Sequence, residues 1–267
     1  MFLMVPFRQD KPVMLKHAVI PDTQVKPGVP LEHLRWAGEY IAEKRPDKII
    51  HIGDHWDMPS LSSYDVGKKS FEGRRYTDDI ASGVDGMGIL LKPILAEIRR
   101  SVANHRKRWT PEFHFFLGNH EYRVVRAIES DRKLEGLIGY EDFGLAGQWQ
   151  VHDYLVPKVL DGVAYCHYFT SGVMGKAVTS ARALLTKKHM SCVMGHVQKR
   201  DIAYDYTGDG RQITGLFAGA YYQHEEAYLN PQGNIHWKGI WMLHQVENGS
   251  FDEMPVSLQY LKGRYDV

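Results

Sequence analysis

The sequence predicts an α/β fold whose last quarter is mainly β, and three observations carry that reading. Up to about residue 198, short apolar runs rich in β-branched residues alternate with segments whose apolar residues recur at helical spacing. Over 200–267 the texture changes to closely spaced strand-like runs broken by turn residues such as Gly208-Asp209-Gly210. In addition, five of the apolar runs end directly in polar clusters, and in an open α/β sheet the carboxyl ends of strands are where ligands collect.

Residues 13–20 read as the first strand, ending in the turn Pro21-Asp22-Thr23-Gln24, where a carboxylate and an amide two apart can face one way. Residues 31–44 place Leu31, Leu34, Ile41 and Ala42 at near-helical spacing and stop before Pro46, which predicts a surface helix. The run 48–52 is a second strand, entering Gly53-Asp54-His55-Trp56-Asp57. Residues 55–77 then read as a loop insertion beside the site, polar and without a period. A long helix is expected over 78–107, kinked near Pro93. The third strand, 112–117, delivers Gly118-Asn119-His120-Glu121, with a helix over 121–134 and an irregular stretch over 136–153. A fourth strand at 162–167 ends on His167, a helix follows at 175–188, and a fifth strand at 190–194 ends in Gly195-His196-Val197-Gln198. Strands are expected at 202–206, 212–220, 235–246 and finally 256–261. Nothing in the sequence resembles an internal repeat or a dividing linker, so 1–267 reads as a single domain.

Composition narrows the class. With 43% hydrophobic residues in 267, a substantial core is available. Thirty-three basic against 32 acidic residues give a net charge of +1, which excludes a global field drawing the protein to nucleic acid or an anionic membrane. Cys166 and Cys192 sit inside apolar runs, as reduced buried thiols do, and this favours a cytoplasmic setting. Residues 1–7 are apolar but broken by Pro6 and lack a basic leader or cleavage site, so no signal peptide is expected; no run approaches the ~20 apolar residues of a membrane span. Fourteen histidines raise the prior for metal chemistry.

The clusters are Asp22 with Gln24, Asp54 with Asp57, Asn119 with His120, His167, and His196 with Gln198. Carboxylates, imidazoles and amide oxygens together are ligands for borderline-to-hard divalent ions, and Asp54 is placed to bridge two metals at the ~3.5–4 Å of two-metal hydrolases. Each cluster has an ordinary explanation alone: Asp22 can cap a turn, Asp57 can cap a helix, and His167 can be a satisfied core imidazole. Five together at strand ends are not explained that way.

The order Asp-x-Gln, Gly-Asp-x-x-Asp, Gly-Asn-His-Glu, a strand-end His and Gly-His-x-Gln, running from Asp22 to Gln198, closely resembles the calcineurin-like metallophosphoesterases. Their usual pattern has His where Gln24 and Gln198 stand. The flanking texture at 21–28 and 165–168 resembles the phosphoesterases encoded by tailed phages and prophages. The resemblance implies a four-layer α/β/β/α sandwich with two divalent metal ions between its sheets. One would be held by Asp22, Gln24, Asp54 and Gln198, the other by Asp54, Asn119, His167 and His196, with a bridging hydroxide attacking phosphorus in line. His120 would face the leaving oxygen, oriented by Asp57. Two amides in place of imidazoles make the first site weaker and harder, suiting Mn²⁺, Mg²⁺ or Ca²⁺ better than Zn²⁺; for the pair Mn²⁺ is placed first, with Mg²⁺, Ni²⁺, Fe or Zn²⁺ as alternatives.

The activity implied is phosphoester hydrolysis, with a phosphodiesterase acting on nucleic acid or nucleotides placed first; a phosphomonoesterase or a non-catalytic binding module are the alternatives. A binding module has no physical need for His120 and its orienter. Candidate substrate contacts are Arg123, the loop cations Lys68, Lys69, Arg74 and Arg75, and an aromatic group of Tyr221, Tyr222, His224 and Tyr228 that could stack a base. A charge run is more often a solvated loop, and such aromatics are as often core. The location implied is the cytoplasm, that of the host cell if the chain is phage-encoded.

Overall fold

A computed structural model describes residues 14–103, 108–226, 234 and 236–266. The leader reading of residues 1–7, the ends of the expected elements at 13, 107 and 235, and Tyr228 lie outside the described residues.

The chain opens with β1 (Leu15–Ile20), α1 (Glu32–Lys44), β2 (Lys48–His51), α2 (Tyr76–Ala103), β3 (Glu112–Phe116), α3 (Arg123–Ser130) and β4 (Gln150–His152). It continues with β5 (Lys158–Leu160), β6 (Val163–Tyr165), α4 (Ala181–Lys188), β7 (Cys192–Met194), β8 (Arg200–Tyr206), β9 (Gln212–Ala218), β10 (Gly239–Glu247), β11 (Ser250–Ser257) and α5 (Leu258–Tyr265). Two sheets result, one ordered β11-β10-β1-β2-β3-β4 and the other β5-β6-β7-β9-β8. Within the first, β1 to β4 are parallel while β10 and β11 are antiparallel additions. Within the second, β6, β7 and β9 are parallel and the edges β5 and β8 are antiparallel.

The layering follows from side-chain alternation. Val19, Ile50, Ile52 and Phe116 of the first sheet and its loops pack with Leu160, Tyr165, Val193 and Leu216 of the second, so the sheets share an inner core. Their neighbours Ala18, Ile20, Ile49 and Phe115 turn outward onto Leu34, Ala37 and Ile41 of α1, Leu90 and Ile94 of α2, and Leu261 of α5. Beyond the second sheet, Ala164, Cys192 and Phe217 meet Ala181, Leu184 and Leu185 of α4. The architecture is the expected α/β/β/α arrangement. Strands covered on both faces are apolar along their length, which is why they read clearly in sequence.

Several expectations change. The helix α1 is not a surface helix: Leu34, Trp36, Ala37, Tyr40 and Ile41 are buried because α2 and α5 flank it, and a Cβ at Gly38 would stand 2.3 Å from the Leu90 carbonyl oxygen. One expectation here holds: the single long helix is α2, with Pro93 inside it. The expected helix over 175–188 begins only at Ala181, where the Ser180 hydroxyl accepts from the Ala183 N–H; residues 170–177 form a tight return instead. The stretch 136–153 contains β4, and β5 follows it. The expected strand at 256–261 is the end of β11 and the start of α5, with Ser257 accepting from the Tyr260 N–H as N-cap. The consequence for function is geometric: the loops after β1, β2, β3, β6 and β7 emerge on one edge of the sandwich and meet there.

Candidate metal centre

The loops leave their strands sharply. Gln24, Asp54, His196 and Gln198 all have positive φ, between 47° and 64°, a conformation that costs a non-glycine residue of order 1 kcal/mol or more and that clusters at functional sites. Four of the sequence-predicted ligands are thus held in strained backbone. Gly118 is required by the close approach of the loops: a Cβ there would sit 2.1 Å from Asp54 Oδ1. A role the sequence reading missed belongs to Glu121. Fully buried, its carboxylate accepts from the N–H groups of Asp54, His55, Trp56 and Gly118 at 2.7–3.0 Å, tying the β2 and β3 loops together. Burial and the nearby Asp54 push its carboxyl up to about 7, opposed by the charge of His167 and the N–H groups of Trp56 and Gly118.

Around Asp54 the structure gathers Asn119, His167 and His196. Asn119 Oδ1 lies 3.0 Å from His167 Nε2 and 2.7 Å from His196 Nδ1, and His167 Nε2 is 3.3 Å from Asp54 Oδ2. Asp54, His167 and His196 form, among the described residues, a cluster able to hold a metal ion. The tautomer is informative. His167 donates its Nδ1–H to the Ile52 carbonyl at 2.9 Å, which leaves Nε2 facing two oxygens. A lone pair cannot satisfy two acceptors; a proton or a metal cation can. Burial opposes protonation of His167, but Asp54 raises it to about 9, whereas burial and His167 push His196 down to about 4. Burial likewise opposes ionisation of Asp54, yet His167 and His120 hold it well below the usual carboxylate range.

The other half of the predicted ligand set is less satisfied. Asp22 accepts the His196 N–H at Oδ1, 3.1 Å away, while its Oδ2 has no donor. Gln24 directs Nε2 toward Asp54 Oδ2 at 3.5 Å and leaves Oε1 without a donor. Both residues are fully buried. A buried acceptor left unanswered costs ~1–3 kcal/mol, and burial with the Asp54 charge raises Asp22 to about 7. A divalent cation relieves both conditions, so the donor set fits a metal. Gln198 Oε1 accepts from the Tyr222 hydroxyl at 2.9 Å.

His120 stands beside this cluster. Its Nδ1 is 2.8 Å from both Oδ1 and the carbonyl oxygen of Asp57, its N–H donates to Asp54 Oδ1, and its Nε2 lies 3.8 Å from Asp54 Oδ2. Burial opposes its protonation, but Asp54 and Asp57 raise its pKa overall. Arg123 donates to the carbonyls of Asp57 and Met58 and brings Nη2 to 3.3 Å from His120 Nε2. Asp57 is bonded to His120 and caps no helix.

The centre opens into a cleft of about 1150 Å³ lined by Asp54, Asp57, Asn119, His120, Arg123, His196 and Gln198 on its floor and by loop residues including Lys68, Arg74 and Arg75 on its wall. The substrate candidates divide there. Lys68 and Arg74 are both paired with Asp65 at 2.8 Å, and Lys69 is outside the lining. Tyr222 corrects an expectation: it is fully buried, stacked on His224 and covered by Lys238, so it cannot stack a base. Tyr221 is fully buried too, and His224 packs there with its Nε2 on Glu226. Tyr168 is buried beside His196.

No family profile matches the chain. Two phage proteins are similar to it over most of both lengths. The Gene 54 protein of Mycobacterium phage D29 is 22% identical over 255 residues, covering 93% of this chain and 95% of its own. The Gene 54 protein of Mycobacterium phage L5 is 22% identical over 264 residues with the same coverage. Both fit the phage texture seen in the sequence. Among solved structures, a conserved uncharacterized protein of Streptococcus pneumoniae TIGR4, described as a predicted phosphoesterase, aligns over 91% of this chain and 98% of its own at 11% identity and a TM-score of 0.35. Among the described residues no helix is long and apolar enough to cross a membrane.

Proposed function

We propose that the protein is a metal-dependent phosphoester hydrolase, a phosphodiesterase acting on nucleotide-sized substrates. The observation that carries this is the pairing of two features in one cleft: buried oxygen and nitrogen donors that a cation would satisfy, and an Asp57-bound His120 facing the same space. Asp22, Gln24, Asp54 and Gln198 would hold one divalent cation, and Asp54, Asn119, His167 and His196 another, with Mn²⁺ suited to the amide oxygens. When bound, such ions neutralise phosphoryl charge and lower the pKa of water.

The chain supplies the rest. Asp57 fixes His120 through Nδ1, leaving Nε2 toward the cleft; with its pKa raised, His120 is suited to give a proton to a leaving oxygen or to bond a phosphoryl oxygen. Arg123, already beside Nε2, can meet the same oxyanion. Loop walls raise the cleft well beyond what a phosphomonoester needs. Its lining carries eight carboxylates against six lysines and arginines, and Lys68 and Arg74 are internally paired. That favours nucleotides over long nucleic acid within the diesterase reading, because duplex binding depends on unpaired cations.

The test is hydrolysis of bis-p-nitrophenyl phosphate and p-nitrophenyl phosphate under Mn²⁺, Mg²⁺ and Ni²⁺, followed by cyclic nucleotides, single-stranded DNA and duplex DNA. Expected is Mn²⁺-dependent diester turnover at least about 10-fold above monoester turnover, abolished by His120→Ala to about 10²-fold or more. Preference for the monoester makes it a phosphatase, and inertness under every metal makes it a binding module.

A further inference from the structure

The strongest unassigned group in the cleft is Lys26, two residues beyond Gln24. Its backbone neighbours are pinned: the Val25 N–H donates to the His55 carbonyl at 2.6 Å, and the Asp57 N–H donates to the Val25 carbonyl at 2.9 Å. From that fixed point the Lys26 ammonium reaches Asp57 Oδ2 at 2.9 Å and Glu226 Oε2 at 2.6 Å. Asp57 is therefore divided, one oxygen on Lys26 and the other on Nδ1 of His120. Glu226 is anchored from behind, with Oε1 on His224 Nε2 at 2.7 Å and its N–H on Asn234 Oδ1 at 2.9 Å.

We propose that Lys26 is a positioning residue, which holds the Asp57 carboxylate in the rotamer that aims His120 at the leaving group. The proposal rests on the phosphoesterase reading above. Lys26 does not itself act as a phosphate contact, because two carboxylates already take its ammonium and the trio carries a net negative charge. Without it, Asp57 Oδ2 loses its cation, and the basic groups left to the carboxylate are both on the Oδ1 side, the His120 imidazole at 2.8 Å and Arg123 at 3.8 Å. The carboxylate is then free to turn toward Arg123, and the imidazole loses its fixed direction. The distance of 31 residues to Asp57 and 200 to Glu226 explains why no local motif announces the arrangement.

A positioning role has a signature that a structural one lacks: its loss hurts most where the leaving group most needs the histidine. The probe is a series of aryl phosphodiesters from p-nitrophenyl to phenyl, assayed in Mn²⁺. Lys26→Met is expected to lower kcat by about 10²-fold on the phenyl ester and by less than about 10-fold on the p-nitrophenyl ester, with KM and Mn²⁺ affinity within about 3-fold of the parent. Lys26→Arg, which can again span both carboxylates, restores most of the loss. Equal losses across the series, a loss carried by KM or metal affinity, or no loss at all overturns the assignment while leaving the hydrolase reading intact. A parent protein inert on every diester sinks both. If Lys26→Met does not fold, Lys26→Met with Glu226→Gln removes both charges of the buried pair together, and the same outcomes decide.

Discussion

The two halves of the candidate centre differ in how far the protein alone completes them. In the half built by Asn119, His167 and His196, side chains touch one another at 2.7–3.0 Å and the Ile52 carbonyl fixes the tautomer of His167. In the half built by Asp22 and Gln24, one oxygen of each is buried without a donor. Both halves leave room for a cation, but they differ in kind: in the first, the ligand atoms are already in contact with one another around His167 Nε2, and in the second, an oxygen of Asp22 and one of Gln24 have no partner. Imidazole and thiolate ligands favour borderline metals and amide and carboxylate oxygens favour hard ones, so the two halves also select differently.

The largest effect should come from breaking the assembled half. Asn119→Ala removes the one oxygen that both imidazoles face. It is expected to abolish the tighter Mn²⁺ binding event in calorimetry and to cost at least about 10³-fold in diester turnover, comparable to losing a metal-dependent step. Retention of two binding events would mean that Asn119 is not a ligand and that the comparison is misdrawn. A smaller and opposite effect is expected in the other half. Gln24→His with Gln198→His should tighten the weaker binding event by about 10-fold and move its preference toward Zn²⁺. Two equally tight sites in the parent protein would erase the asymmetry outright.

The same contrast separates what was legible in the sequence from what was not. Strands β1, β2, β3, β6 and β7 are buried and mostly apolar, and β1, β2, β3 and β7 run into turns marked by Pro21, Gly53, Gly118 and Gly195, so the clusters at their ends could be read off directly. The edge strands β4 and β5 are three residues long and largely exposed, too short for a period to show. The helix α5 carried a usable signal in Ser257 followed by Leu258, Leu261 and Tyr265 at spacings of three and four, but the preceding β11 masked it. Tyr222 was misjudged because an aromatic in a loop looks alike whether it is capped by a lysine or open to substrate. The Glu121 clamp and the Lys26 bridge are tertiary pairings, and a sequence shows residue types, not the 66- or 200-residue separations across which they meet.

The smallest expected effect concerns acid, and it begins at a histidine linked to the Asp22 loop through Tyr221. His33 on α1 is fully buried, its Nδ1 3.3 Å from Gln223 Oε1, its Nε2 without a partner and its ring against Tyr221. Burial pushes its pKa down to about 3. The folded protein therefore keeps the ring neutral while the unfolded chain protonates it below about pH 6.5. Unfolded protein binds the extra proton in that window, so stability is present in full above it and drains as pH falls toward 3, by about 2 kcal/mol at pH 5. Other buried histidines, among them His17, His55 and His152, drain stability over the same range, so His33→Gln should reduce the loss of urea-melt stability between pH 6.5 and 5 by about 2 kcal/mol and not abolish it; an unchanged slope would assign the loss elsewhere. The position of the loss tests the comparison. The Tyr221 N–H donates to the Asp22 carbonyl at 2.7 Å, and the Gly195 N–H donates to the His167 carbonyl at 2.9 Å. If the glutamine half is the one that leans on neutral His33, hydrogen exchange at pH 5 should release the Tyr221 amide before the Gly195 amide, and His33→Gln should bring the two together.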